Sequence, residues 1–269
     1  MRPSFTRLPR LFLALLPALA AGVSGAAPAA PALRELTTDR PDATESPFTI
    51  DAGRVQLELE AASYTRDRSE GVRTTEWALA PFNLRYGLTR QTELAVIVSP
   101  HQRVSTRAPG GPRTTVRGFG ATTLRTKVNF QGNDGGGTAF GLIADLKLPT
   151  AAAGLDNDKV EGALTFPAAY EVGAGWSGGA MTSVEFVHTD TGRRAVWVNT
   201  VTFARELAEN LGVFLELTSA AGDGTHAATF NGGFTRRLGP RLQLDAGVNV
   251  GLSRAAADLT VFAGLARKF

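Results

Sequence analysis

Val55–Ala61 reads VQLELEA, and its alternation decides the fold. Val55, Leu57, Leu59 and Ala61 share one face of an extended chain, and Gln56, Glu58 and Glu60 share the other. The same period of two returns at Leu94–Val98, Leu124–Phe130, Phe140–Leu148, Leu242–Val250 and Leu259–Leu265. Six further segments repeat it less cleanly: Glu76–Tyr86, Leu164–Val172, Val184–Phe186, Ala195–Phe203, Leu211–Leu217 and His226–Phe234. Within the first of these the parity changes at Pro81. A bulge there keeps Trp77 and Leu79 on the same face as Phe82, Leu84 and Tyr86. Ala195–Phe203 is apolar on both faces, and its orientation stays open. The reading predicts twelve strands.

Around this body, composition closes several routes. The chain has 269 residues and no cysteine, which excludes a disulfide framework, a thiolate metal site and a cysteine nucleophile. His101, His188 and His226 lack the spacing of a helical zinc site, so neither a metal nor a cofactor is expected. The formal charge of +3 comes from Arg2, Arg7 and Arg10; a neutral remainder argues against nucleic acid as partner. Those arginines precede the apolar Leu11–Ala21 and the small residues Ser24-Gly25-Ala26, the pattern of a secretory signal peptide over residues 1–26. Residues 27–53 then form an N-terminal periplasmic or plug segment, and 54–269 the β domain. Its longest charge-free stretch, Val172–Val184, falls short of the roughly 20 apolar residues of a spanning helix. Only Thr202–Leu211 (TFARELAENL) has local helical character, and it is too short to stand alone as a helix.

Periodicity alone does not separate a soluble β-sandwich from a membrane barrel, because turning every strand inside out preserves it. The connections separate them. Thr65–Arg73, Pro100–Arg117 and Pro149–Val160 are long, whereas every second connection is short, the asymmetry of outer-membrane barrels. The expectation is therefore an all-β transmembrane antiparallel barrel of about twelve strands in a Gram-negative outer membrane, with short periplasmic turns and longer external loops. Lipid demands closure, since an open edge would leave backbone groups unpaired in hydrocarbon. Tyr64 and Trp77 at one end, and Tyr86, Phe130, Phe140, Tyr170 and Trp176 at the other, fall where aromatic girdles belong. The last strand, ending in Phe269, resembles the C-terminal signature of Gram-negative outer-membrane barrels, which implies the barrel-assembly machinery as a partner.

Thr38–Glu60 reads TDRPDATESPFTIDAGRVQLELE. With Asn83–Leu94, Gly141–Thr150 and the terminal Phe269, it resembles the outer-membrane transporter family labelled "meta-pathway of phenol degradation" over nearly all of the chain after the signal. The resemblance implies a β-barrel in the outer membrane and a loose link to aromatic compounds. It brings no catalytic residues.

A twelve-stranded wall encloses a narrow bore. Glu58, Glu60, Arg85, Glu93, Arg125, Lys127, Asp145, Lys147, Glu171, Glu185, Glu216 and Asp245 are expected to point into it, with Arg125 and Lys127 the selectivity candidates. Before the first strand, Thr37–Pro47 is charged and broken by two prolines. It either plugs the lumen through Asp39, Arg40, Asp42 and Glu45 or stays a flexible leader or periplasmic cap. Leu94–Asn133 holds Arg103, Arg107, Arg113, Arg117, Arg125 and Lys127 and no acid. Its loop arginines either steer anionic substrates to the mouth or meet lipopolysaccharide phosphates. These features make a passive channel for small molecules, aromatic compounds or acids among them, the expected function. The alternatives are a structural barrel without transport and a lipid-modifying hydrolase. Ser183 and His188 would have to serve the hydrolase, but five residues apart on one strand they face opposite sides. Gly132–Gly137 (GNDGGG) lacks the Lys-Ser/Thr of a phosphate loop, and Asp156, Asn157 and Asp158 read as a turn.

Overall fold

The computed structural model describes residues 33–189 and 192–269; the signal peptide read over residues 1–26 lies outside them. All regular structure in the described residues is β, in fifteen strands. They are β1 (Val55–Ser69), β2 (Val72–Leu79), β3 (Phe82–Gly87), β4 (Thr92–Val98), β5 (His101–Arg107), β6 (Arg113–Gly118), β7 (Thr122–Gln131) and β8 (Thr138–Leu148). The remainder are β9 (Glu161–Gly173), β10 (Trp176–Thr189), β11 (Gly192–Ala208), β12 (Leu211–Gly222), β13 (Thr225–Arg237), β14 (Leu242–Gly251) and β15 (Leu259–Lys268).

These strands make twelve crossings, because β2–β3, β4–β5 and β6–β7 each form one interrupted crossing. Residues 62–69 of β1 pair with β2, and Val55–Leu59 pair with β3. The interruption falls at Ala80–Pro81, where proline's missing N–H is tolerated and Ala80 takes a positive φ of 56°. Every neighbouring pair is antiparallel, and β15 returns to β1, from Gln56↔Lys268 to Arg66↔Leu259. The sheet is closed, as a backbone in lipid requires.

Solvent preference is inverted relative to a soluble sandwich. Arg85, Lys127, Glu58, Glu93 and Glu216 are fully buried, while Trp77, Phe130, Phe140, Trp197, Leu217 and Phe234 are exposed. The apolar face of each strand thus points outward, and the charged face inward. The parity that stayed open in Ala195–Phe203 resolves the same way: Trp197 and Phe203 face out, Thr200 and Thr202 in. Tyr64 packs against Trp77 with ring centroids 4.8 Å apart and planes tilted by 45°, and Phe130 meets Phe140 at 6.0 Å nearer the opposite end.

Two details differ from the sequence reading. The extra length at one end is strand rather than loop. β1 and β2 continue to a two-residue turn at Glu70-Gly71, both at positive φ (51° and 81°), the geometry that matches strand twist. β5 and β6 likewise absorb most of Pro100–Arg117, so among these connections only residues 149–160 remain a long one. β11 also runs on to Ala208, through the stretch whose helical character is too short to stand alone, because ladder bonds to β12 outweigh a weak local propensity.

Candidate functional site in the bore

The wall begins at Val55 and ends at Lys268 on one end, which is periplasmic in barrels of this kind. From there residues 33–54 run into the bore and back. The inward face of the wall and this segment are one network, built by alternation: every second residue of a strand crossing oil must point at something polar.

The deepest part centres on Arg85 of β3. Its guanidinium grips Glu93 of β4 through two bonds, 2.8 and 2.9 Å, and reaches Glu58 of β1 at 2.5 Å. Asp39 of the segment joins from above. Its carboxylate lies 2.5 Å from Lys127 Nζ and 3.4 Å from Arg85, while its N–H donates to both oxygens of Glu58 at 3.1 and 3.2 Å. Burial pushes the Asp39 carboxyl up, but Arg85, Lys127 and Arg125 outweigh it and hold the group well below the usual carboxylate range.

Further wall groups hold the segment. Glu216 of β12 accepts from the Ala43 N–H (2.9 Å), the Thr44 N–H (2.7 Å) and the Thr44 hydroxyl (2.5 Å), and Asn231 supports it at 2.5 Å. Arg125 of β7 pairs with Asp145 of β8 through two 2.8 Å bonds and with Glu45 at 2.6 Å. Arg40 reaches Asp245 of β14 at 2.7 Å and Glu60 at 3.4 Å, and stacks over Phe262 of β15. Gly264 makes room for it, because a Cβ there would meet the guanidinium and the Leu59 carbonyl. Asn129 donates to the Pro47 carbonyl at 2.9 Å. Asp42 is different: half-buried beside Glu216, it is pushed up to about 7, by burial first and by that neighbouring carboxylate second.

The structure thus brings Asp39, Arg40, Glu45, Glu58, Glu60, Arg85, Glu93, Arg125, Lys127 and Asp145 into one bore, with Asp42 at its edge. Lys147 lies apart, at the external rim, held by Asp156 and Glu161 at 2.7 Å each. Glu185 faces inward in the same row as Asp145, with no ion-pair partner among the described residues. Glu171 is exposed near the periplasmic turn. Ser183 points into the wall network, bonded to Thr165 at 2.7 Å, while His188 follows the outward parity of β10; the two form no nucleophile–base pair.

Arg103, Arg107, Arg113 and Arg117 require a correction. The sequence pattern puts them in a loop at the mouth, but they lie on β5 and β6 and continue the outward parity of Trp77: Trp77↔Arg103 and Arg103↔Arg117 are cross-strand pairs. They face away from the bore. Sequence reasoning also missed Thr44, Phe262 and Gly264. The parity of β15 did place Phe262 inward, a signal that an apolar residue there has a polar partner to cover.

Two hollows flank the segment. One, of about 290 Å³, opens among periplasmic-side residues including Arg40, Asp42, Phe214 and Gln243. The other, of about 200 Å³, lies further in among Arg40, Glu45, Glu60, Asn83 and Arg125. Arg40 lines both.

The family model described as "Putative MetA-pathway of phenol degradation" matches residues 38–269, a span that starts with the lumenal segment. Among solved structures, an outer membrane channel from Pseudomonas putida F1 is similar at 14% identity and a TM-score of 0.62, over 82% of this chain and 97% of that one. The NanC porin is similar at 7% identity and 0.52, over 79% and 100%. The β domain of the Bordetella autotransporter Brka stands at 14% and 0.52, over 81% and 100%. At these identities the likeness shows the fold, an outer-membrane barrel. No curated protein matches the sequence.

Proposed function

The chain belongs to the family that this model describes, and from that premise we propose that it is a passive outer-membrane channel whose bore is closed at rest by its own N-terminal segment. One observation carries the reading. Arg40, fixed by Asp245 and Glu60 against Phe262, lines both hollows that flank the segment. Moving this one segment opens a path without moving the wall. Two of the similar structures are described as a channel and a porin, which supports conduction.

The cargo is small and aromatic, with acids preferred. The family's description points to aromatic compounds. A carboxylate can compete with Asp245 for the Arg40 guanidinium, and Phe214 offers the periplasmic-side hollow a ring face. Arg125 and Lys127 set anion preference once the segment leaves, since the seated segment uses their charge on Glu45 and Asp39.

The test is swelling of liposomes in benzoate, phenol and neutral sugars, with the intact protein and with Thr37–Pro47 deleted. The deletion should conduct several-fold faster and favour benzoate over a sugar of similar size. Equal rates with and without the segment would end the closure reading. Impermeability of both forms would make this a structural barrel.

A further inference from the structure

We propose that the outer wall of β1, β2, β5 and β6 is a docking surface for the phosphorylated glycolipid of the outer leaflet, lipopolysaccharide. The pairing registers build it. Tyr64, Trp77, Arg103 and Arg117 form one outward row across the four strands. Two residues further from the periplasmic end, Arg66, Thr75, Ser105 and Thr115 form the next. The outermost is Arg68, Arg73, Arg107 and Arg113, four guanidinium groups on four adjacent strands. All seven arginines are exposed, and none has an ion-pair partner among the described residues.

Depth tells what the surface meets. Its lowest row contains the paired rings of Tyr64 and Trp77, the aromatic belt that marks where hydrocarbon gives way to headgroups. The arginines start beside that belt and rise above it. Acyl chains would lie on Trp77 and Leu79 while phosphates meet the rows above. Acids are absent from all three rows; Asp67 and Glu76 of the same strands carry the opposite parity and face inward. Arg66, Arg68, Arg73 and Asp258 line a hollow of about 390 Å³, wide enough for a phosphate and carrying three positive groups against one carboxylate. Guanidinium groups hold phosphate oxygens in pairs, and the hydroxyls of Ser105 and Thr115 lie between the rows, 2.9 Å from one another.

This inference is independent of conduction, because the patch faces away from the bore. The probe is purified lipopolysaccharide carrying its phosphates, bound to the detergent-solubilised full-length protein, beside the same glycolipid with its phosphates removed. Binding should be at least tenfold weaker for the dephosphorylated form and should weaken as salt rises. Replacing Arg68, Arg73, Arg107 and Arg113 together by Gln should cost at least tenfold, with heat-modifiability and conductance unchanged. Inorganic phosphate in millimolar excess should not displace the glycolipid. Equal binding of the two glycolipids overturns the proposal, as does full binding by a correctly folded quadruple variant. Displacement by inorganic phosphate would replace the glycolipid with a free-phosphate site.

Discussion

Arg85 and Arg107 stand on neighbouring crossings of one wall and live in opposite worlds. Arg85 is fully buried and surrounded by Glu58, Glu93 and Asp39; Arg107 is exposed in a row of like charges. Composition does not separate them. The face of the strand does: inward positions answer to one another and to the segment, outward positions to whatever surrounds the barrel. A charged residue here is therefore interpretable only after its parity is known.

The sharpest way to break that contrast is Arg85→Ala. It strands Glu58, Glu93 and Asp39 in the interior and should destabilise the barrel by ~3–5 kcal/mol, read from urea unfolding in liposomes. A loss below about 1 kcal/mol would show the inner network to be slack.

Next comes Glu216→Ala, which removes the acceptor for Ala43 and Thr44. Bonds to a charged acceptor contribute a net ~1.5–3 kcal/mol each. The segment should come loose while the barrel stays folded, with protease cleavage near Thr44 rising at least tenfold. Continued protection would mean that Arg40 and Asp39 suffice.

A smaller effect follows from pH. Asp42 sits at about 7 when seated and near 4 when free in water. Between those values the seated form holds a proton that the released form lacks, so seating weakens as pH climbs from about 4 to 7 and then levels. Glu45, also pushed up, by burial above all, acts in the same direction. Asp39 acts oppositely, but only below the usual carboxylate range. Single-channel open probability should rise from pH 5 to pH 8, and Asp42→Asn should flatten most of the rise. An unchanged slope in that variant would shift the cause to Glu45.

The smallest effect belongs to the outer wall. Arg107→Gln should change unfolding by less than about 0.5 kcal/mol and leave single-channel conductance as it was. A conductance change would mean that β5 and β6 communicate with the bore after all.

Much of this was legible in advance. Alternation in VQLELEA and FGLIADLKL named the strands and both faces, because oil outside and charge inside impose period two on every crossing. The parity slip at Pro81 marked the interrupted crossing. What stayed hidden was how far strands run beyond the membrane: past the aromatic belt no hydrocarbon enforces the pattern, so Thr65–Ser69 and Arg113–Arg117 read as loops. The lumenal partners of the segment were hidden for another reason. Glu216 and Thr44 lie 172 positions apart, and no local pattern reports which wall residue an irregular segment will touch.

The seating of the segment also orders events in time. Its holders come from both ends of the chain: Glu58 on the first strand, Asp245 and Phe262 on the last two, and Lys268, which bonds Asp51 at 2.5 Å. That cradle is complete only once β15 has zipped onto β1. The stretch translated before the wall is thus the last to find its place, and a chain stalled short of its final strand would remain uncorked.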